Sequence, residues 1–487
     1  MRYSLTAIVP LVCFLGSCTH EPAKDETTVL PDHYPAEVGK IILTKCATAG
    51  CHNAASYQLS GGGLLMDTWE HMFDGGNTGA AVIPYSVENS ALLYFTNAYP
   101  DLGALPPDNM KMPLNNPPLT REEYLTLRAW IASGAPDKSG NIPFASRADT
   151  RQKIYLSHQG CDYITVIDAE KNVVMRSIPT GTSVTIESAY ALKISPDGHA
   201  YISFWASQNM LKMDTKTDSL VDVIDVGSPN SCMLQVSPDS RKLLLTNIFS
   251  GSLLRINTET KMVDSTYGTN SFSSPHGVTA NASFTNYYVT EQYGNTLYKI
   301  GRDGAVKKIS IDGKPLSTAN GSNPYSIALS PDESKYFVTC AGTDEIRVFD
   351  TQTDTLMSVI PVGTTPQDLA FSRKKPYLFV SCENDAATTS LYKGSVYIID
   401  YNTLQVVRKI NDRYYMPHAL VVDDVYKKLF VFSRNVDPDG PVPHHNSSTC
   451  TGRNGYYSVY DFEKLQPING KRYEVTIDPF AADARIK

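Results

Sequence analysis

Residues 330–354 read SPDESKYFVTCAGTDEIRVFDTQTD, and the organisation of most of the chain follows from this stretch. Ser330-Pro331-Asp332 is a turn, Tyr336-Phe337-Val338-Thr339 is a short apolar run, and a second run ends on Phe349-Asp350 before a polar turn. Short runs rich in β-branched and aromatic residues, bounded by Pro, Gly and Asp, are strands joined by tight turns. The ending recurs as Ile167-Asp168, Met213-Asp214, Ile256-Asn257, Ile300-Gly301, Ile399-Asp400 and Tyr460-Asp461, with successive anchors 43 to 61 residues apart. The turn recurs as Ser195-Pro196-Asp197-Gly198 and Ser237-Pro238-Asp239. Seven units of four short strands each predict a seven-bladed β-propeller over residues 150–487. The first unit starts at Lys153-Ile154-Tyr155-Leu156 without an innermost strand, and the C-terminal 479–486 (PFAADARI) is the candidate to supply it.

Tyr336-Phe337-Val338-Thr339 and Lys428-Leu429-Phe430-Val431 resemble the YVTN-type propellers of surface-layer proteins and of the d-haem domain of periplasmic nitrite reductases. The resemblance implies a fold and leaves function open, because propellers host unrelated activities.

Of 487 residues, 42% are hydrophobic and 19% charged, and 43 basic against 50 acidic side chains give a formal charge of −7. That balance argues against nucleic-acid binding. The N-terminus differs from the rest. Arg2 precedes an apolar run from Leu5 to Leu15 that ends in Leu15-Gly16-Ser17-Cys18. This has the form of an export signal and is too short to span a bilayer. The tetrapeptide resembles a bacterial lipobox, which implies a lipoprotein signal over residues 1–17 and acylation of Cys18. Residues 18–35 are polar and proline-containing and read as a flexible tether. The expectation is an exported lipoprotein, held to a membrane through its N-terminus on the periplasmic or cell-surface side of the outer membrane. Nine scattered cysteines are too few for a disulfide scaffold.

Residues 36–140 hold the chemistry most specific to this chain. Cys46-Ala47-Thr48-Ala49-Gly50-Cys51-His52 follows the helix-like run 38–44. Two thiols that reach the vinyl groups of one porphyrin, with a histidine directly after the second, form the pattern of covalent haem attachment with His52 as an axial ligand. Four residues separate the cysteines here, where two are commonest. A Cys46–Cys51 disulfide or a zinc site competes on the motif alone, although zinc needs further ligands. Downstream lie Gly61-Gly62-Gly63, Gly75-Gly76-Asn77-Thr78-Gly79 and Lys111-Met112-Pro113. A final helix is signalled by the capping box of Thr120 and Glu123 and by one apolar face of Tyr124, Leu127, Trp130 and Ile131.

This order of motifs, with Trp130-Ile131-Ala132-Ser133-Gly134-Ala135 as the closing signature, resembles the cytochrome c domains of Planctomycetes and Bacteroidetes lipoproteins. The resemblance implies a small all-α cytochrome c domain over 36–140, ahead of the all-β propeller, in a multidomain chain. It implies one covalent haem c with Met112 as the second axial ligand and Met110 as its alternative. Met66 and Met72 are then core residues and His71 a surface residue.

In the propeller, His276 and His418 stand in the turns that lead into innermost strands, and His158, Trp205, Glu291, Glu383, Asn384 and Arg434 stand in loops of the same face. His276, His418, His158 and Arg434 are the catalytic candidates. His444, His445 and Cys450 belong to an enlarged loop of the last blade. Cys161 and Cys450 occupy corresponding loops of blades one and seven, neighbours in a closed ring, and are the candidate disulfide. Two functions follow. In the first, the haem relays electrons to or from a redox partner or a substrate at the propeller face. In the second, the propeller is a non-catalytic surface binding module for a glycan, peptide or protein partner. No G-x-S-x-G or H-E-x-x-H motif supports a hydrolase.

Overall fold

The computed structural model describes residues 32–181, 185–385, 391–445 and 450–485. The signal segment, Cys18 and most of the tether lie outside them. Among these residues six antiparallel sheets have four strands and a seventh has five. They are arranged as blades whose innermost strands contact their neighbours around a closed ring. The anchors end the third strands, as in Glu345–Asp350, Ser395–Asp400 and Asn454–Asp461.

The anchor is acidic for a local reason. Asp350 Oδ1 accepts the backbone N–H groups of Gln352 (3.0 Å) and Thr353 (2.8 Å), closing the turn into the fourth strand. Asp400 does the same for Asn402 and Thr403, a side-chain turn cap. The fourth residue after the anchor is left-handed in six blades, including Asn172, Asp218 and Asp354. This is the bulged hairpin geometry that tightly connected twisted strands favour. The Ser-Pro-Asp turns close in a similar way, Ser330 donating to Asp332 at 2.5 Å.

Apolar second and third strands are buried, as Tyr377–Cys382 shows, while fourth strands such as Gln405–Ile410 face solvent. The core is a set of layers between blades. Ala191, Tyr201, Met210 and Ile224 of blade 2 pack on Leu234, Leu243, Leu245 and Ile256 of blade 3. Truncating one such leucine to alanine costs about 2–5 kcal/mol.

The ring closes within blade 1. Pro479–Arg485 is its innermost strand and pairs antiparallel with Lys153–His158, so the last strand of the chain lies against the first strand of the propeller. Cys161 and Cys450 are joined by a disulfide at the same seam, with a Cα–Cα distance of 5.8 Å and 289 residues between them in sequence.

The multidomain expectation is corrected. Among the described residues there is no distinct all-α cytochrome c domain. The protein is mostly β, with four α-helices among the described residues: α1 (Ala36–Lys45), α2 (Trp69–Met72), α3 (Ala91–Thr96) and α4 (Arg121–Ala132). The span 36–140 is largely loop. It joins the propeller in one compact unit from Asp32 to Lys487, and no group of three or more His, Cys, Asp or Glu side chains among the described residues is arranged to hold a metal ion. The physical cause lies in its prolines and glycines, which stop helices before they lengthen. Only α4, with its complete capping box, reaches twelve residues. The apolar segment at Ile83 is covered by propeller side chains including Ile154, Val174 and Tyr473. Thr78 accepts the backbone N–H of Glu474 at 2.8 Å, and Asn89 Nδ2 donates to Ser177 at 3.2 Å. Residues 32–150 therefore form a cap on the outer side of blades 1 and 7.

Candidate functional site

The cap gathers the cysteine–histidine segment into a closed loop. The His52 N–H donates to the Cys46 carbonyl at 3.2 Å, and the Met66 N–H donates to the His52 carbonyl at 2.9 Å. Cys46 and Cys51 are both free thiols, which removes the Cys46–Cys51 disulfide from the alternatives. Cys46 is buried, and burial together with nearby Cys51 pushes its thiol up to about 12. The His52 ring directs Nδ1 at the Leu64 carbonyl, 3.1 Å away. With Nδ1–H so committed, Nε2 keeps its lone pair for a metal, the usual outer-shell arrangement of a ligating histidine. Two thiols and a histidine in this tautomer fit covalent haem c.

The glycine triplet explains the loop's closeness. A Cβ on Gly61 would stand 2.6 Å from the Cys51 carbonyl oxygen and 2.8 Å from Tyr57 Cα. Met112 is half-buried, and its N–H donates to the Phe95 carbonyl at 2.8 Å. Met110 ends a single 3-10 turn, Asp108–Met110. Met66 and Met72 lie in the cap core, and His71 pairs with Asp67 at 2.7 Å on the half-exposed surface.

The propeller forms a second cluster, at one end of its channel. In all seven innermost strands the residue two positions before the channel-facing one is left-handed. These are Ser188, Asn230, Ser274, Asn323, Thr365, Met416 and Asp478. The reversal presents Tyr190, Cys232 and His276 from blades 2 to 4. Tyr325, Gln367 and His418 follow from blades 5 to 7, and Phe480 completes the circle from blade 1. The His276 Nδ1–H donates to the Tyr325 carbonyl and Nε2 accepts from the Tyr190 hydroxyl, both at 2.9 Å. The His418 Nδ1–H donates to the Phe480 carbonyl at 2.7 Å. Its ring stacks on Phe480 with centroids 4.1 Å apart.

Arg434 lies over the Phe480 ring at 4.9 Å and binds Asp478 through two hydrogen bonds, at 2.6 and 3.0 Å. Its Nη1 faces Glu383 Oε1 at 3.5 Å. Burial raises the Glu383 carboxyl to about 7, which outweighs the guanidinium beside it. Burial also lowers His276 to about 4, and burial together with the charge of Arg434 holds His418 well below the ordinary imidazole range.

Of the four catalytic candidates, His276, His418 and Arg434 converge here, and His158 does not. His158 is sealed between strands. Its Nδ1–H donates to the Ile477 carbonyl at 3.2 Å and its Nε2 accepts from Thr165 at 2.8 Å, which is a structural role. Glu291 is similarly buried and accepts from Tyr298 at 2.5 Å. Trp205 stacks on Tyr190 at 5.4 Å. Sequence reasoning missed Tyr190, Tyr325, Phe480 and Asp478. For Tyr325 and Phe480 the available signal was the repeated Pro-x start of innermost strands at Pro275, Pro324, Pro366, Pro417 and Pro479, where x is the channel residue; Tyr190 follows Ala189 and Asp478 precedes its proline, so neither carries that signal.

The enlarged loop of blade 7 meets the cap. The His444 ring packs on Phe95 with centroids 4.7 Å apart, and His445 lies 6.1 Å from Tyr94. The Glu474 carboxylate accepts the His444 N–H at 2.5 Å.

Among solved structures, Kuenenia stuttgartiensis hydrazine synthase is similar at 14% identity, covering 62% of this chain and 91% of that one with a TM-score of 0.48. A functionally unknown protein from Desulfotomaculum acetoxidans DSM 771 is similar at 14% identity, covering 67% and 99% with a TM-score of 0.49. No curated protein matches the chain. Residues 209–418, from the third strand of blade 2 to the innermost strand of blade 7, match the family model described as Lactonase, 7-bladed beta-propeller, and over that stretch the chain is similar to this family.

Proposed function

We propose that this protein is an exported electron-transfer lipoprotein. It carries one haem c, attached through Cys46 and Cys51 and ligated by His52 and Met112, and exchanges electrons with a redox partner or a substrate at the propeller face. The observation that carries the reading is the His52 ring, whose Nδ1 is spent on the Leu64 carbonyl (3.1 Å) beside two unpaired thiols. Held by these residues, haem c would supply one-electron Fe(III)/Fe(II) chemistry at a potential raised by imidazole and thioether ligation. The chain's own part is to hold its ligands. The Leu64 carbonyl fixes the imidazole tautomer, and the Phe95 carbonyl anchors Met112. Export is supported by the Cys161–Cys450 disulfide, a bond that persists in oxidising compartments. Acylated Cys18 is the proposed anchor. Among the described residues no helix is long and apolar enough to cross a membrane.

Acid–acetone extraction of the purified protein tests the reading. Colour should stay with the polypeptide and disappear in the Cys46→Ser/Cys51→Ser variant. A colourless protein, or haem that leaves with the solvent, overturns it. In haem-loaded protein, Met112→Ala should lower the potential and abolish the near-infrared absorption of ferric iron bound to a thioether. If Met110→Ala does this instead, the ligand assignment moves by two residues. A haem-free result leaves the propeller as a binding module, a reading favoured by the internally satisfied hydrogen bonds of His276.

A further inference from the structure

The propeller face that carries the channel mouth is built from uncharged loops across blades 2 to 4. They are the connections from second to third strands (205–208, 248–251 and 292–295) and from fourth strands into the next blade (227–230, 268–274 and 316–323). None of these segments contains Asp, Glu, Lys, Arg or His, in a chain that is 19% charged. The flanking Asp225 ends a fourth strand, the outermost of its blade, and Lys314 follows another. Turns of the opposite face expose Lys216, Glu259 and Asp303. Two bordering carboxylates are spent internally: Glu291 is 1% exposed and accepts from Tyr298, and Asp312 accepts from Asn295 and Asn320 at 2.8 Å. Backbone hydrogen bonds join the loops in series. The N–H of Asn230 donates to the Trp205 carbonyl at 2.8 Å, Ile248 to Asn230 at 3.1 Å, Asn270 to Ser250 at 2.9 Å, Gln292 to Ser274 at 3.0 Å and Asn320 to Tyr293 at 3.2 Å. On this braced surface Phe249 is 71% exposed and Tyr293 56%, in corresponding loops of adjacent blades. Asn270 and Thr318 are exposed on the loops bonded to theirs.

We propose that this face binds a neutral glycan chain, with sugar rings lying on Phe249 and Tyr293. The inference rests on the reading that the propeller face is where the protein meets its substrate or partner, and it names the chemical class. It needs no haem. A sugar ring offers C–H groups to the electron-rich face of an aromatic side chain, and covering that exposed face removes apolar area from water. The hydroxyls at the rim of the sugar donate and accept at once, so they pair with amides and hydroxyls such as those of Asn270 and Thr318 and require no charge. An anionic glycan finds no cation on these loops, and a protein partner steered by charge finds no field to follow. The hydrogen bonds that brace the loops hold both rings in place before binding, which lowers the ordering cost of a weak, extended ligand.

Affinity electrophoresis of the full chain tests this, in native gels that contain galactomannan, arabinoxylan or xyloglucan, with polygalacturonate as the anionic control. At least one neutral polysaccharide should retard the protein, and polygalacturonate should not. Phe249→Ala and Tyr293→Ala should each weaken that affinity about three- to tenfold, the worth of one stacked ring. Phe249→Tyr keeps a ring and should keep the affinity. Both side chains are exposed, so their truncation leaves the core intact. The Cys46→Ser/Cys51→Ser variant should be retarded as strongly as the unaltered chain, which separates this outcome from that of the haem test. Free migration in every neutral polysaccharide overturns the proposal and leaves the face to a protein partner. Equal retardation by polygalacturonate, or unchanged affinity in a Phe249→Ala/Tyr293→Ala double variant, overturns it as well.

Discussion

The seam between blades 1 and 7 allows a stability effect to be worked out from the chain. Replacing both Cys161 and Cys450 with alanine opens a loop of 289 residues. The native ring keeps its other closure, because Pro479–Arg485 still pairs with Lys153–His158 in both proteins. The effect therefore falls mainly on the unfolded chain, which regains the freedom of a very long loop. With n near 289, the chain-entropy relation gives about 19 cal/mol/K, or about 5.7 kcal/mol at 25 °C. Long loops deliver less than this where the denatured chain keeps structure, so the expected loss is about 3–6 kcal/mol. Equilibrium unfolding in guanidinium, followed by far-UV circular dichroism, compares the oxidised protein with the double variant. A difference below about 1 kcal/mol would refute the argument that the cross-link acts through unfolded-state entropy.

Other predictions are local. Gly61→Ala pushes a Cβ onto the backbone of Cys51 and Tyr57, where neither atom can swing aside, and should cost about 1–3 kcal/mol; an unchanged melting temperature counts against the tight loop. His276, held near 4 by burial, stays neutral in the folded state while the unfolded imidazole takes up a proton below about 6.5. Its contribution is present above that pH and is lost as pH falls towards 4, up to about 3 kcal/mol. Glu383 works in the opposite sense, since its raised carboxyl holds a proton up to about 7 that the unfolded chain has released. His276→Asn should therefore flatten the rise of unfolding free energy between pH 4 and 6.5, and an unaltered slope would exclude His276 as its source. Lys153 donates to Asp218 at 2.8 Å from a position 2% exposed. Lys153→Met strips the buried carboxylate of its cation at about 3–5 kcal/mol, and Lys153→Met/Asp218→Leu should recover part of that loss. A double variant no more stable than the single one contradicts the pairing.

The repeat was legible because each blade writes its own local chemistry. An aspartate capping the turn after the third strand and a Ser-Pro-Asp turn after the first need only neighbours in sequence, so Asp350, Asp400 and Ser330 reveal the blade without knowledge of the ring. The capping box of α4 and the cysteine–histidine segment are local in the same sense, which is why Thr120, Glu123, Cys46, Cys51 and His52 stand out in the bare sequence. The status of residues 36–140 was not legible there. Whether Ile83 faces solvent or a blade depends on Val174 and Tyr473, far along the chain, and short loops with helical punctuation read as a helical domain until the surface that covers them is known. The channel mouth was half legible. His276 and His418 announce themselves by residue type, but Tyr190, Tyr325 and Phe480 look like ordinary strand aromatics. His158 looks like a site residue and is a strand clamp. Only closure of the ring decides which side chains meet at its axis, because one left-handed residue per blade aims the residue two positions later at partners contributed by six other blades.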